Sequence, residues 1–236
     1  MLTARVLLVL LVLFSSSLNL RLLGHSRGLN SSSSVVTSTP LRVNEVTIEN
    51  TIGVITLNEK TATSRAEKFR FFNEDGSLWY EFSFYDDDND LKFDQAKANF
   101  RPFAFHQDYF VLALKCVGQD ASRFKVVVNE KTQLIRFIRK DDLVFKFQSW
   151  EEHILDLFAV SFDPIKNPLR IAPREPARAV RLPRDVMFHP RQVNGKWLKV
   201  SWNVTDEGKG KVKKVEYGWV KWKESNKLLI ERFYFS

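Results

Sequence analysis

One cysteine, Cys116, is all the chain has among 236 residues, which excludes an internal disulfide and any cysteine-cluster metal site. Free cysteine is among the most buried residue types, so Cys116, inside the run VLALKCV at 111–117, is expected to be a buried strand residue rather than a reactive thiol. Histidine is nearly as scarce, at four. His106, His153 and His189 fall in separate elements with no H-x-x-x-H spacing, so no metal centre is expected. His153 should lie on a helix surface. There is no G-x-S-x-G elbow and no phosphate-cradling glycine loop. Glu151 and Glu152 are adjacent, so on a helix they point apart, and a helix amino terminus accounts for them. No catalytic residue and no cofactor is therefore implied, and a binding or structural role is expected instead of an enzyme.

Long apolar runs are also missing. The longest amino-terminal one, VLLVLLVLF at 6–14, falls short of the ~20 residues a bilayer-spanning helix needs. Arg5 precedes it and Ser15, Ser16 and Ser17 follow, a secretory signal pattern with cleavage after Ser17. With no cysteine there, a lipid anchor is excluded. An uncleaved anchor or a mitochondrial presequence stays open, because Arg5, Arg21 and Arg27 occur before any acid. The expectation adopted is a signal peptide over 1–17 and export to the periplasm, the cell surface or the medium, with no transmembrane span after cleavage. Residues 18–42, with Ser31 to Ser34 and Pro40, have too little apolar surface to offset ordering entropy and read as a disordered tether.

What is abundant is aromatic: twenty Phe and six Trp against nine Gly. Aromatic side chains suit a pleated, half-buried surface, and a mainly β fold follows. From Val43 the texture is strand and turn. Lys68–Phe72 and Leu78–Phe84 flank Glu74, Asp75 and Gly76, and Phe124–Val128 and Gln133–Ile138 flank Asn129–Thr132. Both read as hairpins. The segment Tyr109–Leu114 should be a strand buried on both faces, and Leu143–Phe147 another strand. One helix is expected, capped by Ser149, with Ile154, Leu155, Phe158 and Ala159 as its apolar stripe, ending before Asp163 and Pro164. The acidic run Asp86–Asp90 lacks an EF-hand's glycine at position six, where Leu91 stands, and its glutamate at twelve, where Lys97 stands. It reads as a solvated turn.

Charge divides the chain. Residues 41–164 hold 16 Lys/Arg and 21 Asp/Glu, net −5, whereas residues 165–236 hold 17 and 7, net +10. This suggests an acidic β-rich domain with one helix over 43–162 and a basic unit over 163–236 that faces an acidic partner or surface.

The basic region holds Trp197, Trp202, Trp219 and Trp222 in short alternating segments, with a tight-turn signal at Asn194 and Gly195. Its skeleton is Asn167 to Arg170, Gly195 to Val200 with Trp197, then Gly218, Trp219 and Val220. It resembles the bacterial SH3 (SH3b) family pattern N-x-R, G-x-W-x-x-V, G-W-V over roughly residues 165–236. The stretch from Val204 to Glu216 is longer and richer in lysine than that pattern. The resemblance implies a small SH3-like β-barrel, of a kind that attaches exported bacterial proteins to peptidoglycan or to a protein partner, with Trp197 and Trp219 in its core. Trp202, Trp222, Tyr217, Lys211, Lys213 and Lys214 are the expected ligand-facing residues. Trp219 and Trp222, three apart on a strand, should point to opposite faces.

The reading is an exported envelope-associated binding protein whose partner is a cell-wall polymer or an envelope protein. The alternative is a structural or assembly protein of the envelope whose two domains pack on each other and bind no wall polymer. A pI near 9.5 permits nucleic acid, but export and the absence of an RNP or OB-type motif argue against it.

Overall fold

The computed structural model describes residues 46–58, 67–86, 99–182, 186–205 and 212–236. The expected signal peptide, the tether, most of the acidic run and Lys211 lie outside the described residues. The described chain is mainly β, with one α-helix.

The elements in order are β1 (Val46–Thr47), β2 (Gly53–Leu57), β3 (Phe69–Phe72), β4 (Leu78–Phe82), β5 (Ala104–His106), β6 (Val111–Gln119), β7 (Arg123–Asn129), β8 (Leu134–Arg139) and β9 (Phe145–Gln148). Then come α1 (Trp150–Leu155), β10 (Ala159–Ser161), β11 (His189–Asn194), β12 (Trp197–Thr205) and β13 (Val212–Lys221), followed by three short strands, β14 (Lys223–Glu224), β15 (Lys227–Leu228) and β16 (Glu231–Phe233).

The first large unit is an antiparallel sheet in the order β4-β3-β8-β7-β6-β2-β9, with β5 also on β6. Alternation explains its core. In β3, Phe69 and Phe71 turn inward, while Arg70 turns outward and pairs with Glu81 directly across on β4 at 3.1 Å. Phe69, Phe71, Tyr80, Phe82, Phe84, Phe100 and Phe145 form an aromatic core with Leu112, Leu114, Cys116, Val126 and Val128. Phe145 of the last strand meets Phe69 and Phe71 of a strand near the other end, ring centroids about 6 Å apart. The sheet is therefore curled around this cluster without closing. Both expected hairpins form. Gly76 at φ +86° makes the first turn, and Asp75 accepts from the Ser77 N–H at 2.9 Å.

Strands β2 and β6 are buried on both sides. Ile55 and Leu114 face the aromatic core, whereas Val54 and Ala113 face a second cluster behind the sheet. That second cluster gathers Trp150, Ile154, Leu157 and Val160 with Leu198, Val200, Trp202, Val220, Trp222, Leu228 and Ile230. It draws from both sides of the boundary read at 162/163. Strand pairs cross the same boundary: β1 pairs β15 through Val46 with Leu228, and β10 pairs β16 through Val160 with Arg232.

The closed SH3-like barrel expected over 163–236 is not formed among the described residues. Strands β11, β12 and β13 make an open three-stranded sheet, while β15 and β16 take partners from before residue 163, β1 and β10. The family-like motif residues are nonetheless explained, by packing. Asn167 is buried and clamps two segments, donating to the carbonyls of Lys221 (2.7 Å) and Leu229 (3.3 Å) and accepting from the Lys221 N–H (3.1 Å). A Cβ on Gly218 would stand 2.8 Å from the Leu169 side chain, so only glycine admits that leucine. Gly195 and Lys196 connect β11 to β12, with Gly195 at φ +56°. The positive-φ site is thus glycine alone, and Asn194 remains in the strand.

The helix is shorter than its apolar spacing implied. Ser149 caps it in a reciprocal box with Glu152, whose carboxyl is held below the usual range by the Ser149 N–H and hydroxyl. It stops at Leu155 because Ala159 already belongs to β10. Among the described residues no helix is long and apolar enough to cross a membrane.

Candidate binding face

The sheet β11-β12-β13 has one face in the second core and one turned outward. On β12, Leu198, Val200 and Trp202 point inward while Lys199 and Asn203 point outward; on β13, Gly218 and Val220 point inward while Val215, Tyr217, Trp219 and Lys221 point outward. The register sets Lys199 opposite Trp219 and Ser201 opposite Tyr217. On this outer face the Lys199 ammonium lies 5.1 Å from the Tyr217 ring centroid, within cation–π range. Arg191 donates to the Ser201 hydroxyl at 2.7 Å.

The two ends of this face differ. At the Trp197 end, Lys221 lies 5.8 Å from the indole centroid and bridges Glu175 (2.8 Å) and Glu224 (2.9 Å). Its hydrogen bonds to those carboxylates raise the Lys221 pKa and lower those of Glu175 and Glu224, the last chiefly through Lys196. Trp197 is covered there. At the other end Tyr217 is 54% exposed, Val215 45% and Val212 54%, and Trp219 is half-buried.

Of the expected ligand-facing residues, Tyr217 is open to solvent. Lys213 and Lys214 are exposed on β13, with Lys214 ion-paired to Glu216. Trp202 and Trp222 are corrections: they are 1% and 0% exposed. Trp202 shares strand parity with Leu198 and Val200, and Trp222 with Val220, so both point into the core. The Trp222 indole N–H donates to the Gly195 carbonyl at 2.9 Å. Trp219 and Trp222 do face opposite ways, but Trp222 is the inner one. Lys199 was missed. Its signal was the same alternation, since a lysine between Leu198 and Val200 must stand on the face opposite theirs.

A second cluster lies in a cavity of about 390 Å³ between β2, β6, β9, α1 and Tyr234. His153, expected on the surface, is 2% exposed at its base. Trp150, His153 and Ile154 form the inward stripe of α1, while Leu155 is 40% exposed. Gln148 donates its amide N–H to Asp156 at 2.8 Å, which turns its carbonyl toward Thr56 (3.1 Å) and His153 Nδ1 (3.2 Å). The proton therefore sits on Nδ1, and Nε2 accepts from the Tyr234 hydroxyl at 3.3 Å. Burial, with Arg232 nearby, pushes the His153 pKa down to about 4. Burial also raises the Tyr234 hydroxyl. A neutral imidazole with both nitrogens engaged is a packing element of this cluster. Among the described residues no three His, Cys, Asp or Glu side chains gather as metal ligands.

Compared with protein-family models, with curated proteins and with solved structures, the chain matches none.

Proposed function

We propose that the protein is an exported, envelope-associated binding protein that docks through the outer face of β11–β13 onto peptidoglycan or a protein partner. The observation that carries this reading is the open end of that face. Tyr217 presents a flat aromatic ring to solvent under the Lys199 ammonium, in a region whose net charge is +10. An aromatic face stacks on the apolar side of a sugar or peptide, and adjacent lysines attract its anionic groups. The motif skeleton resembling SH3b domains supports the same class of function. Within this reading the barrel is replaced by an open sheet, and the ligand-facing set becomes Tyr217, Trp219 and Lys199, since Lys214 pairs with Val204 on the opposite face. A tryptophan-fluorescence titration with soluble peptidoglycan fragments tests it: a saturable change lost in Tyr217→Ala is expected, and no change in the wild type would overturn polymer binding.

A second reading, a structural or assembly protein that binds no wall polymer, is favoured by one observation. The acidic and basic halves share the second core and the pairs β1–β15 and β10–β16. It predicts a stable complex with another envelope protein and no response to wall fragments.

A further inference from the structure

Two cations on the outward face of β11–β13 have no acid to balance them. The register places Lys199 opposite Trp219 and Ser201 opposite Tyr217. Arg191, exposed on β11, donates its Nε–H to the Ser201 hydroxyl at 2.7 Å. That bond anchors the guanidinium beside Tyr217 and leaves both terminal nitrogens without a protein partner among the described residues. A guanidinium fixed through Nε keeps a planar fork for an anion with two oxygens. The Lys199 ammonium lies 5.1 Å from the Tyr217 ring centroid and meets no carboxylate among the described residues. The acids of this sheet and its turns are held elsewhere: Glu175 by Lys221 and Arg170, Glu216 by Lys214, and Glu224 by Lys196 and Lys221.

We propose that the ligand of this face is a glycan whose sugars carry an anionic group, a carboxylate or a phosphate. The Arg191 fork and the Lys199 ammonium hold the anion while a sugar ring stacks on Tyr217. The inference rests on the face-docking reading and narrows it to one ligand class. Tyr217 and Trp219 stand two residues apart on the same side of β13, so their rings rise about 7 Å apart along the strand. The main chain of β12 is paired on both sides, by β11 and β13. The middle of the face therefore offers a ligand rings and charges but no main-chain groups. That suits a charged sugar, whereas an extended peptide is bound chiefly through main-chain hydrogen bonds.

The test is titration calorimetry of the full chain with trigalacturonic acid, with its methyl ester and with a short polyglutamate. The acid should bind about tenfold or more tightly than the ester, which keeps the rings without the charge, and than polyglutamate, which keeps the charge without the rings. Salt should weaken the binding. Tighter binding of a phosphorylated maltotriose than of the acid would name phosphate as the anion. Arg191→Gln keeps a donor for Ser201 and loses the charge. It should lower affinity for the acid about tenfold, leave the weaker binding of the ester unchanged, and match the wild type by circular dichroism. Arg191→Lys restores the charge without the fork and should recover only part of the loss. Equal binding of acid and ester, or an Arg191→Gln variant that binds the acid as the wild type does, overturns the proposal and leaves the face-docking reading standing. Polyglutamate bound as tightly as the acid overturns it in favour of an acidic protein. No binding of any probe also overturns it, and retention on insoluble peptidoglycan then decides whether the face-docking reading falls with it.

Discussion

Acidification from pH 7 to pH 5 is expected to destabilise the fold by about 2 kcal/mol through His153 alone. The imidazole has a folded pKa of about 4 against an ordinary value of 6.5. Below pH 6.5 the unfolded chain takes up a proton that the folded chain refuses. Stability from this group is therefore fully present above pH 6.5 and declines as pH falls toward 4, where the loss reaches about 3 kcal/mol. The groups facing the ring are Gln148, Tyr234, Asp156, Arg232 and Lys146, with Phe103 and Trp150 packed on it. Carboxylates held low, such as Asp156 and Glu152, add to the loss only within their own, more acidic range. Urea unfolding at stepped pH values reads the effect directly. His153→Phe keeps an aromatic ring in the cage but leaves Gln148 and Tyr234 short of a partner, at a baseline cost of about 1–3 kcal/mol. Its stability should then be nearly flat over the same pH interval. A wild type that is flat between pH 7 and 5, or a variant with the wild-type slope, would refute the reasoning.

Three further outcomes follow from burial. Trp222→Ala should cost about 3–5 kcal/mol, because it empties a fully buried site and strands the Gly195 carbonyl; a change below about 1 kcal/mol in urea unfolding would contradict the core assignment. Gly218→Ala should cost about 1–3 kcal/mol through its clash with Leu169, and Leu169→Ala in the same chain should relieve part of that clash while adding its own cavity cost. Cys116 is 0% exposed and its thiol is pushed up to about 11. It should resist alkylation at mildly alkaline pH while the protein is folded and react promptly in denaturant, and fast labelling of the native state would be the contrary result.

The parts of the fold legible in the sequence were those set by neighbours along the chain. Alternation marked β3 and β12, the run of valines marked β7, Gly76 and Asn129 marked hairpin ends, and Ser149 with Glu152 marked the helix start. The capping pair was visible, but the helix stripe was misjudged. Its true members, Trp150, His153 and Ile154, include a polar residue whose burial depends on Gln148 and Tyr234, and Tyr234 lies 81 positions away. The pairs β1–β15 and β10–β16 join segments of two or three residues, too short to carry any period. Their partners are chosen by the shared core. The tryptophans show a signal that was present and overridden. Trp202 follows Val200 by two and Trp222 follows Val220 by two, so parity placed both inside. Of the family-like motif residues, Asn167, Gly218 and Gly195 serve packing and turn geometry, whereas Trp219 of the same pattern stands on the outward face opposite Lys199.

The most direct test of the proposed function is co-sedimentation of the full chain with insoluble peptidoglycan at moderate salt, for wild type, Tyr217→Ala and Lys199→Glu. All three should be equally folded by circular dichroism, because both side chains stand on the outward face. The account predicts that the wild type pellets and that both variants stay largely in the supernatant. A wild type that remains soluble, or variants that pellet as well as it does, would contradict a docking role for this face.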